Sequence, residues 1–269
     1  MNSKITRKAW LTGRFIFFLL HSGNRYRVHS PFLFQLINEV LRNKELTADI
    51  RRIEQIRQDC LRSNEVIQKT DYGESGINEP ARVYPVTMRK IAQTSLTPPR
   101  NARRLYHLAR FLNAETILEI GTSLGITTSY LGFANPDARI ITLEGCPQLS
   151  RKAKLHFDRL GIKNIEIIEG RFEENLAAAL NRLEKVDLVY IDGNHNKEAM
   201  LDYYDQCLAH SGNETVMVFD DIHSSPGMEK AWDILSQKGE VRVSLDLFST
   251  GWLIFRKESS KQHFRLRYI

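Results

Sequence analysis

From residue 115 onward, short apolar runs alternate with segments whose apolar positions recur at helical spacing. The runs Thr116–Ile120, Arg139–Leu143, Ile165–Ile168, Asp187–Ile191 and Thr215–Phe219 predict strands. Ile126–Phe133, Pro147–Leu160, Phe172–Leu183 and Lys197–His210, lying between and after them, predict helices. Strands in regular alternation with helices form a parallel sheet covered on both faces. A helix near Met228–Ser236 follows, and then the strands Val241–Phe248 and Gly251–Arg256. Only Ser249-Thr250 joins these two. So short a link cannot make a parallel crossover, so the pair must be antiparallel. The expected fold class is α/β: a doubly wound, mostly parallel seven-stranded sheet with its last strand reversed.

The first 62 residues read as helices. Ser30 is the expected N-cap of a helix that opens on Pro31 and runs to Leu41. Phe32, Leu33, Leu36, Ile37, Val40 and Leu41 recur at its period. Asp71–Gly76 is a turn-rich break, Thr87–Thr94 a short helix, and Pro98-Pro99 resets the chain before a helix near Asn101–Leu112. This divides the chain into a mainly helical N-terminal extension or lid, residues 1–95, and a principal domain, residues 96–269. The apolar run Phe15–Leu20 follows a basic start. It is too short for a membrane span, and no small-residue cleavage pattern follows it, so it reads as a packed or interfacial helix.

Composition, 42% apolar and 26% charged, is that of a globular chain. The net charge of +6 is unevenly placed: residues 1–110 carry 20 Lys/Arg against 9 Asp/Glu, and the remainder 18 against 23. A basic front half is either a solvated helical surface or a face for an acidic partner such as RNA or lipid headgroups. The absence of an arginine-rich block or an aromatic-interleaved RNA motif makes nucleic acid the less favoured partner. Three scattered cysteines make neither a disulfide framework nor a zinc site, and a reducing, cytoplasmic setting is expected.

The chemistry concentrates where the strands end. The run Ile117–Ile120 carries Glu119, and Gly121 and Gly125 follow before a helix begins. A glycine turn lets a ligand approach bare backbone, and the helix start offers unpaired N–H groups to an anion. The next strand ends in Glu144, about one βαβ unit later, where an acid can hold both hydroxyls of a ribose. Asp192, Asp220 and Asp221 lie just past the ends of later strands.

In their order and spacing, Glu119-Ile-Gly-Thr-Ser-Leu-Gly125, Leu143-Glu-Gly145, Ile168-Glu-Gly-Arg-Phe172, Tyr190-Ile-Asp-Gly-Asn-His195 and Val218-Phe-Asp-Asp221 resemble the class I S-adenosylmethionine-dependent methyltransferases. Among these the chain is similar to the O-methyltransferases typified by the catechol and macrocin/novobiocin enzymes, over about residues 100–257. The resemblance implies S-adenosylmethionine held by Glu119, Gly121, Thr122, Ser123, Gly125, Thr127, Glu144, Gly145, Arg171, Phe172 and Asp192. Phe172 either stacks on the adenine or belongs to the core. It implies a hydroxylated small molecule or sugar as acceptor. It also implies Mg²⁺ on Asp192, Asp220 and Asp221, the alternative being that Asp192 and Asp220 only bond cofactor and loop backbone. The sugar enzymes' base position is Asn194 here, which takes no proton at neutral pH. His195 stands where the catechol enzyme keeps its lysine and is the candidate base, with His223 a second. Rival readings are RNA methylation, an inactive cofactor-binding module and an NAD(P)-binding protein. The last lacks its Gly-x-Gly-x-x-Gly fingerprint. No membrane span is expected, and a homodimer is possible.

Overall fold

The computed structural model describes residues 2–23, 30–72 and 81–267. The chain falls into two compact units, Met1–Ile37 with Lys185–Ile269, and Asn38–Glu184. The architecture is α/β, with eight strands in a mostly parallel sheet and a separate two-stranded hairpin.

In the unit Asn38–Glu184, helix α3 (Ala48–Arg62) is capped by Thr47 and buries Ile50, Ile53, Ile56 and Cys60. Strands β1 (Val66–Asp71) and β2 (Arg82–Thr87) then form an antiparallel hairpin. Periodicity did not reveal it, because β2 is almost wholly exposed and carries Pro85, tolerated on an edge where its missing N–H is not needed. Residues 73–76 of the expected turn lie outside the described residues. Helices α4 (Met88–Thr94) and α5 (Pro99–Phe111) fall where the sequence places them. Strands β3 (Thr116–Ile120), β4 (Arg139–Glu144) and β5 (Ile165–Glu169) pair in parallel. Helices α6 (Ile126–Ala134), α7 (Pro147–Leu160) and α8 (Phe172–Leu183) connect and cover them.

In the other unit, α1 (Asn2–His21) precedes α2 (Pro31–Leu36), which Ser30 caps. The single helix expected through Leu41 changes after Leu36 into a π-helical turn, Ile37–Leu41, whose residues from Asn38 on belong to the unit described first. Strands β6 (Val186–Ile191) and β7 (Ser211–Asp220) are parallel, with α9 (Lys197–Leu208) between them and α10 (Pro226–Ser236) after them. Strands β8 (Val243–Asp246) and β9 (Thr250–Ile254) are antiparallel, as the short link required, and β9 is also antiparallel to β7. An eighth strand, β10 (Gln262–Arg265), lies parallel to β8. Its run is short and alternates with charge, so apolar pattern alone did not mark it. The strand order is β10-β8-β9-β7-β6-β3-β4-β5. Buried Leu188, Val189, Tyr190 and Val216–Phe219 make β6 and β7 apolar without alternation, as strands covered on both faces must be.

Candidate cofactor and acceptor sites

The glycine turn between β3 and α6 is built around Gly125, whose φ is +70°. A Cβ there would also meet Phe157 and Ala153 of α7 at 2.7 and 2.8 Å, so both backbone and packing require glycine. Gly121, at φ +104°, opens the turn. Ser123 holds φ +51°, a sparsely populated region for a side-chain-bearing residue and one enriched at binding sites.

Glu144, buried at the end of β4, locks this turn. Its Oε2 accepts from the Ser123 backbone N–H at 2.7 Å, and its Oε1 from that of Cys146 at 2.8 Å. Burial pushes its pKa from 4.5 to about 7, against the pull of these two donors. Glu119 is wholly buried. Its Oε2 accepts from Thr128 Oγ1 at 2.5 Å and Thr142 Oγ1 at 2.6 Å. Burial lifts this acid too, to about 7, because two hydroxyl donors do not replace bulk hydration.

Two polar atoms of this turn, Glu119 Oε1 and Ser123 Oγ, are buried with no protein partner among the described residues. Buried polar atoms are ordinarily paired, so a turn with two of them suits a polar ligand that completes them. The amino-acid end of S-adenosylmethionine has both a donor and an acceptor for that purpose, and Glu144 keeps lone pairs for ribose hydroxyls. The residues present therefore fit the cofactor. The other residues of the expected set are disposed differently. Thr122 Oγ1 bonds Thr142 Oγ1 and the Leu143 carbonyl, and Thr127 Oγ1 donates to Thr97 Oγ1 at 3.0 Å. These two threonines brace the turn with their hydroxyls. Arg171 caps α8, and Phe172, half-buried, opens it.

Sequence reasoning missed Tyr72. Strand β1 lies against α7, where the Gln68 and Thr70 N–H groups donate to Gln148 Oε1 and Cys146 Sγ. This sets the Tyr72 ring where a Cβ on Gly145 would meet it at 3.0 Å, with the Arg171 guanidinium 4.4 Å from the ring centroid. Glu144, Gly145, Tyr72 and Arg171 thus converge from three elements. A lone aromatic residue at the end of an edge strand carries no periodic signal, so the sequence could not reveal it.

At the ends of β6 and β7, Tyr190 OH lies 2.9 Å from Asp220 Oδ2 and 3.2 Å from Asp192 Oδ2. Burial first, then the charge of Asp221, pushes the Asp220 carboxyl well above the usual carboxylate range. Close carboxylates repel unless they share a proton or a cation. The Asp221 N–H donates to Asp220 Oδ1 at 3.0 Å and to the Ser249 carbonyl at 2.7 Å. Among the described residues no group of three or more His, Cys, Asp and Glu is arranged to hold a metal ion. Carboxylate oxygens are suitable donors for Mg²⁺, but this arrangement does not form the expected three-acid site. His195 Nε2 lies 3.6 Å from Asp192 Oδ1 and is one-third exposed. Asn194 and Asp221 both hold positive φ, +52° and +56°. Asn194 donates to Tyr203 OH at 3.3 Å and accepts from Asn196 at 2.6 Å. His223 is buried between Glu229 and Asp246, 3.4 and 3.1 Å away, and its ring stacks on Phe248. That is the surrounding of a packed structural histidine.

Comparison with known proteins bears on the domain and the fold. Residues 118–222 match a protein family described as "Methyltransferase domain". The fold is that of the class I methyltransferases. A catechol O-methyltransferase of Niastella koreensis is 29% identical over 127 residues, 46% of this chain and 57% of that protein. The chain spans about half the length of the curated relatives it matches. Two solved structures share the methyltransferase fold. The O-methyltransferase TomG of Streptomyces achromogenes, in complex with SAM, has a TM-score of 0.53 at 23% identity, covering 60% of this chain and 82% of its own. An O-methyltransferase from Bacillus cereus, in complex with SAH, has a TM-score of 0.56 at 18% identity, covering 82% and 96%.

Proposed function

We propose that this protein is an S-adenosylmethionine-dependent O-methyltransferase acting on a hydroxylated small molecule or sugar. The observation that carries the reading is the Glu144-locked turn, with its two unpartnered buried oxygens, inside a methyltransferase domain. S-adenosylmethionine, when bound, supplies an electrophilic methyl carbon whose sulfur leaves as a neutral thioether. The protein's part is to orient and to remove a proton. Glu144 accepts from the ribose hydroxyls. Ser123 Oγ and Glu119 Oε1 take the amino-acid end, and Tyr72 and Arg171 border the adenine. His195 takes the acceptor's hydroxyl proton, and Asp192 beside it stabilises the imidazolium that results. Asp220 and Tyr190 position the acceptor oxygen. The proposed step routes the proton through His195 and uses no metal ion.

Calorimetric titration with S-adenosylmethionine, NAD and NADP tests the cofactor. Binding of the first alone is expected, and Glu144→Ala should weaken it by about 1.5–3 kcal/mol, the worth of a charge-assisted bond. An unchanged dissociation constant in a folded variant rejects the placement. With a panel of hydroxylated acceptors, turnover should persist in excess chelator. It should fall by about 10²–10⁴-fold in His195→Ala while cofactor affinity stays the same. Loss of turnover on chelation, restored by Mg²⁺, would instead put a cation on Asp192 and Asp220.

A further inference from the structure

The unit formed by Met1–Ile37 and Lys185–Ile269 carries a surface that methyl transfer does not use. Residues 1–37 hold six basic residues, Lys4, Arg7, Lys8, Arg14, Arg25 and Arg27, and no Asp or Glu. Helix α1 is anchored along one side. Trp10 Nε1 donates to the His223 carbonyl at 3.1 Å, Arg14 pairs with Glu229, and Phe18 packs on Phe248. Its outward side is apolar and open: Ile16 is 53% exposed, Phe17 38% and Leu20 76%, with Phe15, 44% exposed, at the margin where its ring edge meets Phe248. A protein surface rarely groups large exposed apolar side chains on one helical stretch without a partner.

Strand β10 supplies the second observation. Lys261, His263, Arg265 and Arg267 alternate with inward Gln262, Phe264 and Leu266, and all four are exposed. Alternation puts them on one side of the edge strand, as a row of cationic and imidazole groups. This row adjoins the open end of α1. Gly23 bridges to Leu266, Arg267 Nη1 donates to the Leu19 carbonyl at 3.4 Å, and the Arg265 guanidinium stands 5.8 Å from the Phe17 ring centroid. Beside them lies a cleft of about 840 Å³ lined by His21, Lys261, His263 and Arg265, together with Asp233 and Asp246. Asp246 is already engaged by His223 and Arg265.

We propose that α1 and β10 form a docking surface for an anionic phospholipid bilayer. Ile16, Phe17 and Leu20 enter the acyl boundary, and the β10 row and its cleft receive headgroup phosphates. A helix that is apolar on one side, rich in Lys/Arg and too short of apolar length to span has the form of an interfacial anchor. No described helix is long and apolar enough to cross a membrane. RNA would leave the exposed apolar side chains without a use. A second copy related by a two-fold axis would set two acid-free basic segments against each other.

The test is co-sedimentation of the full chain with vesicles of pure phosphatidylcholine, and of equal parts phosphatidylcholine and phosphatidylglycerol. Partition to the anionic vesicles should be at least about tenfold stronger and should fall as salt shortens the Debye length. The double variant Ile16→Glu with Leu20→Glu should lose about tenfold or more of that binding. Its circular dichroism and melting should be unchanged, since both side chains point outward. Lys261→Glu with Arg267→Glu should weaken anionic binding and leave the weak neutral binding as it was. The native cysteines are buried, so Leu20→Cys can carry an environment-sensitive dye, whose emission should shift blue only with anionic vesicles. Equal binding to both vesicles, or none, overturns the proposal. So does retention of single-stranded RNA without vesicle binding, or a dimer that the double variant dissolves.

Discussion

At the scale of single residues, two buried acids set the chemistry of the turn, and they make it dependent on pH. Glu119 has its pKa raised from 4.5 to about 7 because folding removes it from water. The folded state therefore holds the proton more firmly than the unfolded chain does. Its contribution to stability is greatest below about pH 4.5 and is lost as pH rises through about 7. Glu119→Gln removes the ionisation while keeping an acceptor for Thr128 and Thr142. The variant should be more stable than the parent at pH 8, by an amount on the order of 3 kcal/mol or less, and close to it at pH 5. Urea unfolding at the two pH values checks this, and a difference that does not change with pH would refute the assignment. Glu119 was legible in the sequence as an acid at a strand end. That it is wholly enclosed, with one oxygen unpartnered, depends on helix α6 lying over it, and no local pattern carries that information.

At the scale of elements, the turn between β3 and α6 works because α6 and α7 approach closely at Gly125. Its left-handed φ costs an alanine about 1–2 kcal/mol, and overpacking against Phe157 and Ala153 costs about 1–3 more. Gly125→Ala should thus lower stability by roughly 2–5 kcal/mol, read from denaturant midpoints; a loss below about half a kcal/mol would show that the helices separate freely. The glycine was legible, and so was the helix after it, because strand-to-helix turns leave a dipeptide-scale signature. The hairpin β1–β2 was not. It is held by backbone bonds to Gln148 and Cys146, about 80 residues away in sequence, and it shows solvent most of its side chains. Strand β10 was missed for a related reason, since an edge strand protected by charge lacks the apolar run that marks a covered one.

At the scale of the whole molecule, cofactor binding should appear as a shift in unfolding. A ligand at one hundred times its dissociation constant adds about 2.7 kcal/mol to the state it binds. For a chain of this size that is a rise of about 5–10 °C in melting temperature. S-adenosylmethionine should produce it, NAD should not, and the effect should be much reduced in Glu144→Ala. Equal shifts with both ligands would return the chain to the wider class of dinucleotide-binding folds.

What the sequence by itself determined is the alternation of strands and helices, the reversed strand, and the acids and glycines at strand ends. Each follows from local chemistry: the period of apolar positions, the reach of a two-residue link, the freedom of glycine. Only the tertiary structure decided which of those groups are satisfied. It gave both oxygens of Glu144 to backbone N–H groups, set Tyr190 between Asp192 and Asp220, buried His223 and left His195 partly open. It also brought Tyr72 to Gly145 and laid β10 beside α1. These pairings join residues far apart along the chain, and hydration is withdrawn from a group only when distant elements close over it. Burial, partner and proton therefore belong to the fold, while residue type and spacing belong to the sequence.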